Sequence, residues 1–403
     1  MYIMIVWFEM RVMFVIGLPA PSPGAAWTRI ESFLRALMWR GHQGVVICSE
    51  RRGLNPYIMS AIFGGRGVFS AISFFTTTFI NVLRYKPDLV VISVPPGIHA
   101  FGASVACCFL NRRVIFDYRD RWEDYLINKT KNRVKRRMYG ILKFFMSLLY
   151  SRATLVLTVI PPFVEHLSQR GVKNICVLPN GADTNVFKPA FEKEYLRIKY
   201  GFKKDDFILV YSGYIGKYYR LDVCVKALAK LYEMNVSKNV KLMLIGEGED
   251  LEGIFSLSKM LNVEGKVVYM GVKHDKRELA ELIALSDSGL IPYDKNPLWK
   301  EALPTKFFEY SSCGIPTIAT VQGDSLLAKI IDREKVGIHV EPEKVEDLAN
   351  AIALMLSDRE FLLNASKKAR ELIEREFDRV KISQKFVDMI EKLSYNFNSS
   401  RKV

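Results

Sequence analysis

The stretch EALPTKFFEYSSCGIPTIAT, residues 301–320, sets Glu301 and Glu309 on either side of a Pro-Thr-Lys triplet. Pro304 suits a helix start, Thr305 an N-cap, Lys306–Ser312 a short helix, and Gly314 the position just past its end. A helix N-terminus with Lys306 beside it can hold a diphosphate through backbone N–H groups, the macrodipole and one ammonium. Lys306 and Glu309 are three apart and share a face. A carboxylate beside an anion site has a purpose if it binds hydroxyls, and a nucleotide offers two on its ribose. Glu301, in the loop before the helix, can do the same for a sugar. The spacing fits equally well a solvated loop charge and an ordinary helix-start glutamate favoured by the dipole.

Other candidate groups fall at the ends of strand-like runs. Gly24 follows the first such run in LPAPSPGAAWTR, Gly213 and Gly216 follow another in YSGYIGKYYRLD, and Gly246 and Gly248 a third in LIGEGED. Gly213 and Gly216 permit close backbone approach to phosphate, and Lys217 and Arg220 add positive charge. The spacing is neither the dinucleotide fingerprint nor a P-loop, so taken singly GYIGK reads as a structural turn. RDRWEDY, residues 119–125, crowds Arg119, Asp120, Trp122, Glu123 and Asp124 onto a strand-end loop where a second substrate could enter, or forms a solvated charged loop. VLPNGADTNVFKP, residues 177–189, reads locally as a turn and linker.

The elements that must position these groups repeat twice. Strand-like runs at 12–17, 44–48, 88–94, 113–118 and 154–159 alternate with helical patterns, and the alternation restarts at 207–213, 241–246, 266–271, 288–293, 315–320 and 336–340. This predicts an α/β chain of two doubly wound domains with parallel sheets, joined near 181–200. In such sheets ligands sit beyond the carboxyl ends of the strands. A length of 403 residues also favours two cores over one. Three helical patterns follow the last strand, the final one placed to pack back across the first domain, and the tail from 396 reads as frayed.

Charge is unevenly placed. Residues 1–185 hold 23 Lys+Arg against 10 Asp+Glu, whereas residues 186–403 hold 35 against 33. The basic first half points to a polyanionic surface or substrate. Within it, KTKNRVKRRMYGILKFFMSLLYSR, residues 129–152, joins a basic cluster to an apolar helical run, as a membrane-surface helix or a domain helix with a cationic end would. Aromatic residues are not interleaved with the basic ones, which disfavours nucleic acid. The apolar opening is interrupted by Glu9 and Arg11, so residues 11–17 read as a buried strand rather than a signal peptide, and 68–85 as a buried or surface-lying helix. Six cysteines without CxxC spacing read as reduced core thiols of a cytoplasmic protein, and scattered histidines give no metal site.

Taken together, these motifs resemble the retaining glycosyltransferases of family 4, which have the GT-B fold. VLPNGADTNVF is similar to the family's PNG-x-D-x-x-x-F segment, YSGYIGKYYRLDVCVKAL to its Gly-rich turn before Leu-Asp and a helix, LMLIGEGED to its G-x-G strand end, and Glu301 through Glu309 to its E-x7-E element. RDRWED and LPTKFFEY most resemble the surface-polysaccharide subgroup typified by N-acetyl-fucosamine transferases. The resemblance implies an acceptor-binding Rossmann-like domain over 1–185, a nucleotide-sugar domain over 186–380, the two facing a cleft, and a returning helix and tail over 381–403.

It further implies that Glu309 holds the ribose hydroxyls, that Lys217 and Lys306 hold the diphosphate with Gly213, Gly216, Pro304 and Thr305 around it, and that Gly271 and Val272 flank the base. Gly24 would approach the phosphates, Glu301 the donor sugar, and Arg119 with Asp120 the donor sugar and acceptor. Lys217 stands where arginine is commoner, Arg220 where glycine precedes Leu221-Asp222, and Gly24 is followed by alanines where paired glycines are frequent. The implied reaction needs no obligatory metal or cofactor, in agreement with the absence of an Asp-x-Asp triplet. Its partners would be a UDP- or GDP-linked donor, a lipid-linked or saccharide acceptor and the inner membrane surface, without nucleic acid. A sugar-nucleotide 2-epimerase of the same fold, or a basic peripheral membrane or nucleic-acid-binding protein, is the alternative.

Overall fold

The computed structural model describes residues 9–400 apart from 23, 54, 62–66, 96 and 235–238, with side chains described as far as 395. The opening residues 1–8 and the last three positions of the tail lie outside the described residues. The chain divides into two compact units, Met1–Asn180 with Val380–Val403, and Gly181–Arg379. The division falls within the Pro-Asn-Gly turn rather than after 185. Residues 181–200 are not a free linker, because Ala182 and Phe187 are buried in the core of the second unit.

The first unit has seven strands: β1 (Arg11–Ile16), β2 (Gln43–Cys48), β3 (Ile58–Ser60), β4 (Leu89–Val94), β5 (Val114–Tyr118), β6 (Leu155–Thr158) and β7 (Ile175–Val177). They form one parallel sheet in the order β3-β2-β1-β4-β5-β6-β7. β4 and β5 are buried at every position, as expected of strands covered on both faces. The two short edge strands β3 and β7 carry too little apolar pattern to be read from sequence.

The helix Val68–Tyr85 turns its small and hydroxyl residues, Ser70, Ser73, Thr77 and Thr78, inward. Thr77 Oγ1 donates to the Ser73 carbonyl at 2.7 Å, which satisfies a buried hydroxyl without a partner helix. The neighbouring helix Gly97–Phe109 approaches so closely that a Cβ on Gly102 would lie 2.1 Å from the Ala71 oxygen. The chain's last helix, Arg379–Ser400, packs on the first unit's core: Phe386 stacks on Phe33 at 4.2 Å and lies 6.2 Å from Phe14.

The second unit has β8 (Phe207–Ser212), β9 (Val240–Ile245), β10 (Val267–Tyr269), β11 (Ser288–Pro292), β12 (Thr317–Thr320) and β13 (Gly337–Val340), all parallel, in the order β10-β9-β8-β11-β12-β13. From β8 the chain winds outward through β9 to β10, and from β11 outward through β12 to β13. The winding therefore reverses between β8 and β11, and the carboxyl ends of those two strands are where an open sheet leaves a crevice.

Candidate functional site

Around that reversal the second unit gathers its glycines. Gly213 follows β8 with φ 131° and donates its N–H to the Ile245 carbonyl at 2.9 Å. Gly246 follows β9 with φ 135°, and a Cβ there would lie 1.9 Å from the Gly213 oxygen. The β8 and β9 ends are thus packed backbone to backbone at the reversal point. Gly271, after β10, accepts from Gly246 N–H at 3.0 Å, and Val272 beside it is exposed. Gly216 lies against the Tyr214 and Tyr218 rings, close enough that a Cβ would meet Tyr214 at 2.8 Å.

The helix Thr305–Ser312 begins after β11 with Pro304 as its N-cap, so Thr305 is the first helical residue rather than the cap. Proline offers no side-chain acceptor, and no side-chain bond caps this helix. In its first turn the Phe307 N–H donates to the Pro304 carbonyl at 3.0 Å, and the N–H groups of Thr305 and Lys306 precede it at the helix start. Lys306 is buried, yet among the described residues its ammonium has no hydrogen-bond partner. It lies 3.7 Å from the Tyr211 ring centre and 4.4 Å from that of Tyr219, and a Cβ on Gly213 would be 3.4 Å from its Nζ. Burial pushes its pKa down to about 7, against the attraction of Glu309.

Glu309, a turn further along, is partly buried. Burial raises its pKa to about 7, opposed by Arg379, Lys276 and Lys306. The structure therefore brings Gly213, Pro304, Thr305, Lys306 and Glu309 into one neighbourhood. Lys217 is exposed in the short 3-10 turn Lys217–Tyr219. Glu301 closes another such turn, Pro297–Glu301, and is not in open loop as its sequence suggested.

Arg220 has φ 43°, the left-handed conformation in which glycine is unstrained. Its guanidinium instead pairs with Asp222 at 2.8 Å and with Glu343. The position thus keeps the backbone shape of a glycine while its side chain ties the turn to the segment after β13. Sequence reasoning passed over the aromatic residues here: Tyr211 and Tyr219 face Lys306, and Tyr293 and Trp299 stack against Tyr219, a clustering that only the return of β11 beside β8 creates.

In the first unit, Gly24 caps the helix Ala25–Trp39 after β1, with nothing within 4 Å of a notional Cβ. Arg119 follows β5, donates to the Pro95 carbonyl at 2.8 Å and lies 3.9 Å from Asp117. Burial lowers its pKa, with Asp117 and Asp120 opposing. Asp120 is exposed beside it. The rest of RDRWEDY is not loop: Trp122–Lys129 is a helix with Trp122 and Glu123 buried. Glu123 accepts from Arg170 at 2.9 Å and from the Tyr118 and Tyr150 hydroxyls at 3.2 Å, and Asp124 pairs with Lys143. These acids were taken up by internal partners that the local sequence does not reveal. Arg29 similarly joins Asp117 at 3.0 Å to the Leu178 and Pro179 carbonyls, fixing the strand β5 to the approach of the Pro-Asn-Gly turn.

The helix Arg133–Arg152 is the most exposed in this unit. Val134, Met138, Ile141, Phe145 and Leu148 recur at helical spacing and are all exposed, with Phe144 beside them, whereas only Met146 and Tyr150 are buried. Arg133, Lys135, Arg136 and Arg137 are exposed on its first turns. Among the described residues no helix is long and apolar enough to cross a membrane. Cys108 is exposed, unlike the buried thiols of Cys48, Cys107, Cys224 and Cys313, so the expectation of core cysteines does not extend to it.

Two parallel, doubly wound α/β units of this topology define the GT-B class of glycosyltransferase folds. The chain belongs to the family 4 glycosyltransferases of that class: residues 24–181 match the family described as "Glycosyl transferase 4-like domain" and residues 192–372 that described as "Glycosyl transferases group 1". It is 28% identical over 226 residues to the N-acetyl-alpha-D-glucosaminyl L-malate synthase of Bacillus anthracis, covering 56% of this chain and 54% of that one. It is 26% identical over 224 residues to the Escherichia coli UDP-Gal:alpha-D-GlcNAc-diphosphoundecaprenol alpha-1,3-galactosyltransferase, covering 54% of each. The chain thus spans about half the length of these curated relatives. Anabaena HepE, solved in complex with UDP-glucose, superposes with a TM-score of 0.72 at 16% identity, covering 95% of this chain and all of that one, a likeness of fold.

Proposed function

We propose that this protein transfers a sugar, with retention of configuration, from a nucleotide-diphosphate sugar to a lipid-linked or saccharide acceptor in surface polysaccharide or glycoconjugate synthesis. The observation that carries the reading is the buried, unpartnered Lys306 ammonium at the start of an uncapped helix, beside Gly213 and the sheet's reversal point. A buried cation without a partner is costly, and a diphosphate is the ligand whose charge and oxygen geometry would relieve that cost. As the glycosidic bond breaks, negative charge builds on the departing diphosphate. Lys306, Lys217 and the helix terminus then stabilise the transition state more than the ground state.

In this scheme Glu309 accepts from the ribose hydroxyls and Glu301 from those of the donor sugar, while Gly271 and Val272 flank the base. The acceptor hydroxyl attacks from the face that the diphosphate leaves, and a phosphate oxygen takes its proton, so no separate base or metal is required. Gly24 is assigned to the donor phosphates, and Arg119 with Asp120 to the donor sugar and acceptor. UDP is favoured over GDP as the carrier, consistent with the donor named for the E. coli relative. That relative's diphosphoundecaprenol acceptor supports a lipid-linked substrate here. The exposed apolar stripe and basic turns of Arg133–Arg152 fit an anionic bilayer and a peripheral place on the inner membrane face.

A thermal-shift screen over nucleotides and nucleotide sugars tests the donor class, because a ligand at 100 times its Kd adds about 2.7 kcal/mol of stability. With the donor known, Lys306→Ala should lower turnover roughly a hundredfold, the loss typical of one charge-stabilising group. An unchanged rate would remove Lys306 from the chemistry. Release of free nucleoside diphosphate without acceptor would favour the epimerase reading instead.

A further inference from the structure

The second unit's reversal point carries an aromatic ladder that the handling of a diphosphate does not use. The segment after β8 supplies Tyr214, Tyr218 and Tyr219, and the segment after β11 supplies Tyr293 and Trp299. Tyr293 and Trp299 stack at 4.3 Å and 5°, the Tyr218 ring is near-parallel to Trp299 with centres 5.9 Å apart at 22°, and Tyr214 is near-parallel to Tyr218 at 6.3 Å and 25°. The two segments are tied together where the Asp294 N–H donates to the Tyr218 carbonyl at 3.2 Å and Trp299 Nε1–H to Asp294 Oδ1 at 2.5 Å.

Exposure grows along the ladder away from the buried ammonium. Tyr293 is 3% exposed, Tyr218 38% and Tyr214 47%. At the inner end the Tyr219 ring lies 4.4 Å from Lys306 Nζ. Trp299, stacked directly on the buried Tyr293, shares the turn Pro297–Glu301 with Glu301. Packing explains the inner rings, since Tyr293 belongs to the core and Tyr219 and Trp299 lie against it. It does not explain why the aromatic series continues into solvent through Tyr218 and Tyr214. A pyranose ring has an apolar C–H face and a rim of hydroxyls. Aromatic faces bordered by carboxylates are its chemical complement.

We propose that the Tyr214–Tyr218–Trp299 ledge is a stacking subsite for the pyranose ring of the donor, with the sugar's hydroxyls directed to Asp294 and Glu301. The assignment rests on the nucleotide-sugar reading above and specifies how the sugar, as distinct from the diphosphate, is recognised. A nucleobase or an acceptor sugar also has a stacking face, and the test separates these sources.

The test compares wild type, Tyr218→Ala and Tyr218→Phe by isothermal titration with the free nucleoside diphosphate and with its nucleotide sugar. Y218A should weaken the nucleotide sugar by about five- to tenfold, the range expected for one aromatic contact, with less than about a twofold change for the free diphosphate. Y218F should restore affinity, and unchanged thermal unfolding would exclude a folding defect. Equal losses for both ligands would overturn the proposal in favour of base stacking or a structural role, and no loss for either would overturn it outright. A rise confined to the acceptor KM would move the ledge to the acceptor and overturn the donor assignment. If wild type binds no nucleotide at all, the nucleotide-sugar reading itself falls, and the subsite with it.

Discussion

Replacing Lys306 by methionine should stabilise the free protein while abolishing its hold on a diphosphate, and the size of the effect follows from the surroundings of the ammonium. Its pKa falls from 10.5 to about 7 because burial disfavours the charged form. The sign of the linkage follows. Between those two values the unfolded chain binds more protons than the folded one, so this lysine's penalty is full below pH 7 and is lifted as pH rises through 10.5. At one pKa unit per 1.36 kcal/mol, the cost is about 4 kcal/mol at pH 7 and about 2 kcal/mol at pH 9. Methionine also forfeits the attraction to the Tyr211 and Tyr219 faces, together worth about 2 kcal/mol when desolvated. A net gain of about 2 kcal/mol remains at pH 7, and about 2 kcal/mol at pH 9 as well, where the folded lysine is already neutral and has no cation–π attraction to lose; the gain vanishes as pH rises through 10.5.

Urea unfolding of both proteins at the two pH values measures this gain. For a unit of this size it corresponds to a rise in Tm of about 4–8 °C. The same reasoning predicts proton uptake on binding. At pH 8 a lysine with a pKa of about 7 is mostly neutral, and a diphosphate that restores its charge would draw in about 0.9 proton. Titration calorimetry in buffers of different ionisation enthalpy reads that number directly. A destabilised Lys306→Met protein at pH 7, or nucleotide binding without proton uptake at pH 8, would refute the argument.

Four further outcomes are expected. Glu123→Ala leaves Arg170 buried without its carboxylate and should cost about 3–5 kcal/mol in urea unfolding; a loss below 1 kcal/mol would mean that water replaces the acid. At Arg220, whose backbone is left-handed, the Gly variant should unfold at higher urea than the Ala variant by about 1 kcal/mol in stability, and the reverse order would contradict the reading of that turn. The double variant Ile141→Glu, Phe144→Glu should leave the fold intact, since both side chains are exposed. It should lose cosedimentation with vesicles containing anionic phospholipid, and retained binding would dismiss the helix Arg133–Arg152 as the membrane contact. Once the reaction is established, EDTA should leave turnover unchanged, and a loss reversed by a divalent cation would show that a metal shares the diphosphate's charge.

Much of this molecule was written locally. The β-branched runs gave the larger strands to within a residue or two because a strand covered on both faces must be apolar along its length, as β4 and β5 are. The Glu301–Glu309 element and the glycines at strand ends were legible because a helix start and a left-handed turn are properties of a few consecutive residues. The resemblance to family 4 glycosyltransferases rested on such short motifs in order. The short edge strands β3 and β7 were missed, since three residues at a sheet edge carry no period.

Tertiary structure decided which charges are available for chemistry. Lys306 and Glu123 look alike in sequence, each a charged residue just inside a helix start. Glu123 is consumed by Arg170, by the Tyr150 hydroxyl of the helix Arg133–Arg152 and by the Tyr118 hydroxyl of β5, whereas Lys306 is enclosed by aromatic faces that accept no hydrogen bond from it. A side chain's free valence depends on partners distant in the chain, so no local pattern reports it. The sequence alone therefore determined the two doubly wound units and the glycines and helix start that fall at their strand ends. Folding determined that β11 returns beside β8, and with it the aromatic ladder and the one buried ammonium left unsatisfied among the second unit's described lysines.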